Sequence, residues 1–206
     1  MSNIVILELF GVIVIGYLLG SVSFGVLVGH YYGVNPLKKG SKSPGATNVT
    51  RLMGPAAGRC VFIFDFLKGV CATGWPMLPF LNTVAPFQLA MIGCAAAIVG
   101  HSYSMFLDFK GGKAVATVMG GLLVLMPLGT LIGVAVWYVA FRLTKYVSLA
   151  SICFAVSLPL TAIFVPAYHN LILFVTALAL FIVLRHRANV ERLIKGTENH
   201  FKKKRS

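Results

Sequence analysis

The chain of 206 residues is 58% hydrophobic, only 11% charged and carries a net charge of +13. That balance excludes a soluble globular core and identifies an integral membrane protein built of helical spans. Nucleic-acid binding is not expected either, because the cations lie in short segments between apolar runs, where they set topology and meet anionic lipid or substrate.

The first span is expected over residues 4–29, with Glu8 near its start. It lacks a basic leading region and a convincing cleavage site, so it is read as a retained span and not as a signal peptide. Near its end the stretch GSVSFG, residues 20–25, fits two readings: close helix packing through small side chains, or a helix end lining a site. The first loop, residues 30–57, breaks helices at Gly33, Pro36, Gly40, Pro44 and Gly45 and supplies Lys38, Lys39, Lys42, Ser41, Ser43, Thr47, Asn48 and Arg51. A solvated basic loop and a phosphate clamp both fit that segment, although hydroxyls, an amide and a terminal Arg in GSKSPGATNVTR are what a bidentate clamp needs.

A second span over 58–80 carries Asp65 and Lys68 three residues apart on one helical face. Ionisable groups at membrane depth are costly, so these two should pair with each other or face a polar cavity. The third span, 84–100, ends at His101, which suits an interfacial hydrogen-bonding residue or a member of a site. Then comes GHSYSMFLDFKGGKAVATVMGG, residues 100–121. Its adjacent Gly111 and Gly112 let the backbone approach a ligand, and Lys110 and Lys113 add charge, a combination suited to phosphate. It is not an NTPase P-loop, since Ala114 follows Lys113 and the upstream Gly is missing.

Residues 114–141 are read as two spans, 114–127 and 128–141, turning at Met126-Pro127-Leu128-Gly129. The positive-inside rule decides this: with two spans, the basic clusters at 30–59, 101–113, 142–145 and 185–205 all fall on one side, while the opposite links hold no Lys or Arg. Each arm then has about 14 residues, roughly 21 Å of helix against a hydrocarbon core of about 30 Å. The arms should extend into the loops or thin the bilayer. A loop at 142–147 leads to a sixth span, 148–165, which Ser148 opens as an N-cap, and to a seventh, 170–184. In the tail, 185–206, His186, Asn189 and Arg192 recur every third residue on one helical face. The closing KKKR reads as a solvated, lipid-attracted end.

The whole is expected to be one all-α polytopic domain of seven transmembrane helices, residues 1–206, with the N-terminus outside and the C-terminus cytoplasmic. Every polar motif then faces the cytoplasm, so phosphate-type ligands are implied beside hydrocarbon able to hold an acyl chain. The letters also exclude chemistries. There is no GxSxG nucleophile elbow, no His with Asp five residues later, and no His or carboxylate set at metal-ligand spacing. Cys60, Cys71, Cys94 and Cys153 show no disulfide or zinc pattern. No metal or cofactor is expected, and acyl transfer here would need an activated donor.

These motifs, in this order, resemble the bacterial acyl-phosphate-dependent glycerol-3-phosphate acyltransferases, the PlsY family. GSVSFG is similar to that family's first-span motif, GSKSPGATNVTR to its first cytoplasmic motif, DFLKG to its second-span motif, GHSYSMFLDFKGGKAVAT to its phosphate loop, SLASI to its sixth-span start and HRANVERLIKGTE to its tail. The resemblance implies transfer of a fatty acyl group from acyl phosphate to the 1-hydroxyl of glycerol 3-phosphate, giving lysophosphatidic acid and phosphate, the first acylation of bacterial phospholipid synthesis. It implies the bacterial inner membrane, a cytoplasm-facing site, lipid as surroundings and the upstream acyl-ACP:phosphate acyltransferase as a partner. Ser41 and Arg51 are implied as the first motif's essential hydroxyl and cation. Lys110, Gly111, Gly112 and Lys113 would bind phosphate; His186 and Asn189 would serve the substrate; Glu198 would support the fold. Ser43, Thr47, Asn48, Lys68, His101 and Ser148 would line the polar pocket.

This chain departs from the family's usual letters in several places. The family commonly has GSGN where Gly40-Ser41-Lys42-Ser43 stands, Pro at the positions of Ser23 and Ser104, and Gly at that of Ala114. Gly to Ala is tolerable where the backbone φ is negative. Two other functions compete: a transporter for a small phosphorylated anion, which predicts polar groups on both sides and an internal repeat, and a non-catalytic lipid-binding scaffold. The outer links are nearly bare and no repeat is visible.

Overall fold

The structure is a computed structural model and describes residues 3–81, 83 and 85–201. The expected start of the third span at Val84 and most of the basic end, from residue 202, lie outside the described residues. Among those described there is no β-strand: the regular structure is all helical, with one isolated bridge between Ser104 and Lys110. Five stretches are long and apolar enough to cross a bilayer, Ile4–Tyr31, Pro55–Met77, Pro127–Thr144, Val147–Phe164 and Pro166–Arg185, and two shorter apolar helices, Pro86–Ser102 and Val115–Leu125, stand between them. Large apolar side chains such as Leu7 (73% exposed) and Leu173 (85%) point outward, an arrangement costly in water and natural in lipid. The chain is a multi-pass membrane protein. It divides into two compact units, Met1–Leu125 and Met126–Ser206.

In the first unit α1 (Asn3–Ser21), α2 (Phe24–Tyr31), α3 (Ala46–Met53), α4 (Pro55–Gly74), α5 (Pro86–Ser102) and α6 (Val115–Leu125) follow in order. Helix α5 packs on α1, α4 and α6, and α4 packs on α6. Small residues make these contacts possible. A Cβ on Gly20 would strike the Ala97 backbone, one on Gly100 the Tyr17 carbonyl, one on Gly69 the Thr117 carbonyl and one on Gly120 the Phe66 carbonyl. Without hydrophobic driving force in lipid, such backbone proximity is what dispersion contact between helices requires.

The first apolar run is not one uninterrupted helix. It ends at Ser21 and restarts at Phe24, with Ser23 extended (φ −98°, ψ 93°). Close packing through small residues is present in GSVSFG, since Gly20 and Gly25 lie against backbone of α5 and Pro44, and a helix end lies between them. Two carbonyls exposed by the break are capped from afar, Ser21 by the Ser104 hydroxyl at 2.6 Å and Val22 by the Lys68 ammonium at 2.8 Å. The segment 30–57, read as loop, contains the eight-residue helix α3. It forms because Val49 buries against Ala57 and Val61, with Phe24, Val28 and Met53 packed around them, while Gly45 and Gly54 (φ 92°) bracket it.

The second unit holds α7 (Pro127–Thr144), α8 (Val147–Phe164), α9 (Ile172–Arg185) and α10 (Arg187–Ile194). Pro127 stands at the first turn of α7 behind a non-helical Met126, a position where its missing N–H costs nothing. Helix α8 packs on both α7 and α9; its Phe154 and Leu158, and Val175 and Ile182 of α9, are fully buried, with the Phe154 ring against Gly133 of α7.

The letters at which this chain departs from the family pattern have backbone consequences. Ala114 has φ +59° and Lys42 φ +52°, so the negative φ that would make Ala harmless is not met. An L-residue there costs about 1–2 kcal/mol. Lys42 is exposed, so Lys42→Gly exchanges that cost for about 0.5–1 kcal/mol of chain entropy and should stabilise the protein by about 0.5–1 kcal/mol. At Ala114, 1% exposed, a buried methyl worth about 0.8 kcal/mol is also lost, so Ala114→Gly should be neutral. Unfolding of the two variants in detergent checks this ordering; an equal gain from both would refute it.

Candidate active site

The first loop is organised around one side chain. Asn48, 2% exposed, accepts from the Ser41 N–H at 2.9 Å through Oδ1. Its Nδ2 donates to the carbonyls of Pro36 (3.0 Å), Lys39 (3.2 Å) and Ser43 (2.8 Å). Its amide is thus spent on the loop backbone. Gly40, φ +61°, passes so close that a Cβ would strike Asn48 Oδ1. Ser41 is left exposed at the loop's edge, and Thr47 and Arg51, four apart, share one side of α3 with Arg51 exposed. Ser43 Oγ accepts weakly from the Gly45 N–H at 3.4 Å.

The glycine loop follows α5. Residues 104–110 close a small hairpin, in which Phe109 N–H donates to the Ser104 carbonyl at 2.9 Å, and Asp108 and Phe109 adopt positive φ. Ser104 Oγ, besides capping Ser21, accepts from the Phe106 N–H at 3.2 Å. Residues 111–114 have no regular structure and rest on His101. A Cβ on Gly111 would hit the His101 carbonyl, a Cβ on Gly112 would hit His101 Nε2, and the Gly112 N–H donates to the His101 carbonyl at 3.1 Å. Glycine is needed here for close approach. Lys110 is exposed and Lys113 half-buried.

Beneath the loop lies a buried polar network. His101 Nδ1 is 3.3 Å from Thr117 Oγ1 and 3.6 Å from Asp65 Oδ1. Asp65 Oδ1 is 2.8 Å from Lys68 Nζ, both side chains being 4% exposed. Lys68 also donates to the Val22 carbonyl and lies 5.8 Å from the Phe24 ring centroid. The i, i+3 spacing revealed the ion pair; nothing in the local letters revealed Thr117, 16 residues from His101, or the Val22 carbonyl.

In the second unit Glu198 is the hub. Its carboxylate accepts from Ser148 Oγ (2.9 Å), Asn189 Nδ2 (2.7 Å) and Arg192 Nε (2.7 Å). Helix α10 begins only at Arg187, so His186 sits at the α9–α10 junction and not on one continuous face with Asn189 and Arg192. It is buried, and its Nδ1 lies 2.8 Å from the Ile182 carbonyl. A proton on Nδ1 satisfies that carbonyl and makes Nε2 the ring's acceptor. Sequence spacing offered no reason to join Arg192 to Glu198, six residues away and across a turn.

Burial pushes the Glu198 carboxyl up, but the donors from Asn189, Arg192 and Ser148 outweigh it and hold the group below its ordinary value. A carboxyl depressed in the folded state stabilises the fold above the unfolded value, about 4.3, and that contribution is lost as pH falls through the folded value. The melting temperature in detergent should therefore fall as pH drops below about 4.3, and Glu198→Gln should remove this component of the fall while lowering stability at pH 7. An identical acid profile in the variant would exclude it.

The comparisons with known proteins agree on one family. The profile described as "Glycerol-3-phosphate acyltransferase" matches residues 10–196. A glycerol-3-phosphate acyltransferase of Endomicrobium trichonymphae is 41% identical over 196 residues, covering 93% of this chain and 96% of the relative. One from Bacillus subtilis (strain 168) is 41% identical over 187 residues, covering 90% and 94%. The crystal structure of PlsY (YgiH), "an integral membrane glycerol 3-phosphate acyltransferase", in its glycerol 3-phosphate form, superposes with a TM-score of 0.86 at 34% identity, covering 94% of this chain and 96% of that one. With all-helical architecture, an apolar exterior and a lysine-flanked glycine pair seated on a buried imidazole, the chain belongs to the glycerol-3-phosphate acyltransferase family and is a PlsY-type integral membrane acyltransferase.

Proposed function

We propose that this protein transfers a fatty acyl group from acyl phosphate to the 1-hydroxyl of glycerol 3-phosphate, giving lysophosphatidic acid and inorganic phosphate. Family membership supports the acceptor, and crystal structures of the PlsY relative include its glycerol 3-phosphate and lysophosphatidic acid forms. The observation that carries the reading is the glycine pair bedded on His101 between Lys110 and Lys113. Backbone held this close, with a cation on each side, is suited to a phosphate.

Two phosphate-bearing substrates repel each other, and Arg51, Lys110, Lys113 and backbone N–H groups offset that repulsion. Ser41 belongs to the same phosphate-binding set, with Ser43 and Thr47 beside it. In the second unit His186 and Asn189 serve the substrate and Glu198 supports them. The hydroxyl oxygen attacks the carbonyl carbon, the bond from that carbon to the bridging oxygen breaks, and phosphate departs. A mixed anhydride needs no strong acid to expel phosphate, so positioning supplies most of the catalysis. The proton of the hydroxyl passes to an oxygen of the departing phosphate. His186, whose Nε2 is the ring's acceptor, orients the hydroxyl.

The proposed topology has seven spans, the N-terminus outside, and the glycine loop and tail on the cytoplasmic face of a bacterial inner membrane, as the distribution of Lys and Arg supports. Helix α6, at 11 residues, covers about 16 Å, so the bilayer thins there or flanking residues complete the crossing. Acyl phosphate hydrolyses readily, which favours supply by an acyl-ACP:phosphate acyltransferase at the same membrane.

Phosphate release by the detergent-purified chain tests the reading, with palmitoyl phosphate and glycerol 3-phosphate as substrates and palmitoyl-CoA as the rival donor. Release that requires both substrates and fails with the CoA donor is expected. Release of free CoA at a comparable rate would overturn the donor assignment.

A further inference from the structure

The buried network under the glycine loop has a member with no role in the reaction so far described. Asp65 is 3% exposed, and its buried ion pair with Lys68 does not by itself explain its placement: the same Oδ1 that meets Lys68 also faces the His101 ring, and that ring is the bed of the loop. Thr117 approaches the same Nδ1 from α6. The ring is thereby held on its Nδ1 side by groups from two helices, while its Nε2 lies against the Gly112 backbone and its own carbonyl takes the Gly112 N–H. Rotating the ring by even a modest angle would drive it into Gly112 or open a void beneath it. Lys68, tied to the Val22 carbonyl at the break in the first span, anchors Asp65 in turn.

We infer that Asp65 is a positioning residue for phosphate binding: with Thr117 it fixes the His101 ring as the seat of Gly111 and Gly112, and so fixes the backbone N–H groups and Lys113 that follow. The inference rests on the reading that this loop holds a substrate phosphate, and it adds a specific division of labour. His101 supports the loop from behind. Asp65 acts only through His101, and Lys68 acts as the anchor of Asp65.

Two readouts test this on the full chain in detergent. The first is the half-maximal concentration at which glycerol 3-phosphate, or separately palmitoyl phosphate, raises the melting temperature, a binding measure that needs no turnover. The second is the division of the kinetic effect between KM and kcat. Asp65→Asn, which removes the buried charge 3.6 Å from His101 Nδ1, is expected to raise the half-maximal concentration and KM for one of the two phosphates about tenfold, with kcat changed less. Thr117→Val, which removes one hydroxyl without a charge, should raise them about threefold and decides the matter if Asp65→Asn does not fold. Which substrate responds identifies the phosphate that the loop holds. Unchanged half-maximal concentrations and KM values for both, with kcat falling only in step with the folded fraction, would reduce the network to a structural ion pair and overturn the inference. A wild-type protein that binds either phosphate without turnover would sink the proposed reaction and leave the binding comparison to decide this one.

Discussion

Lys113→Ala is expected to lower kcat/KM for phosphate release by about 10²–10³-fold, and Lys110→Ala by about tenfold or less. The two lysines flank the same glycine pair, so sequence gives them equal standing. Their surroundings differ. Lys110 is exposed on the hairpin that its backbone closes with Ser104, where water screens its charge and an ion pair is worth at most about 1 kcal/mol. Lys113 is half-buried next to the buried Gly112 and Ala114, where the effective dielectric constant is lower and the same charge acts more strongly on a phosphate. The stabilisation that matters is for charge concentrated as phosphate leaves, which makes the loss appear in kcat as well as KM. Neither substitution removes core packing, so the melting temperatures without substrate should stay close to wild type. Equal losses from the two variants would show that the buried and exposed positions bind phosphate alike and would contradict this distinction.

What the letters conveyed and what they withheld follow from the range of the interactions concerned. Apolar spans are legible because each is a local property of 11 to 20 residues, and the break at Met126 because Pro127 enforces it. The break at Ser23 is legible only in part: GSVSFG admits a helix end, but the carbonyls exposed there are capped by Lys68 and Ser104, 46 and 83 residues away in sequence, so the local letters do not decide between a break and close packing. The pairing of Asp65 with Lys68 is a matter of helical period, whereas its extension to His101 depends on how α4 and α5 meet. Helix α3 was missed because the breakers around it, Pro44, Gly45 and Gly54, outweigh eight residues in a window, although its amphipathic face is what buries Val49. Ala114 illustrates the same limit on a smaller scale. Its identity says nothing of its φ, and only the turn into α6, whose Val118 N–H bonds to the Ala114 carbonyl at 2.8 Å, reveals a left-handed residue carrying a buried methyl.

Asn48 gives the second large effect, and its origin is order rather than contact with substrate. Replacing it by Ala removes four hydrogen bonds that tie residues 36 to 43 to α3. At about 1 kcal/mol each, with more for carbonyls left buried and unpaired, roughly 4 kcal/mol of local stability goes with them. The helices of the first unit do not depend on these bonds, because Val49, Ala57 and Val61 hold α3 on α4. The expected outcome is a protein that still folds and melts cooperatively but whose first loop opens, lowering phosphate release by more than about 10²-fold because Ser41 is no longer held in place. Asn48→Asp should fare no better: the carboxylate matches the shape but turns a negative oxygen toward the carbonyls of Pro36, Lys39 and Ser43, where the amide had donated. Trypsin provides the direct readout, since Lys38, Lys39 and Lys42 all lie in the loop. An opened loop should be cut at these sites at least tenfold faster than wild type, as expected when local opening governs proteolysis. Loss of activity with no change in cleavage would instead assign Asn48 to the substrate, and its four bonds to the loop would then be incidental to its function.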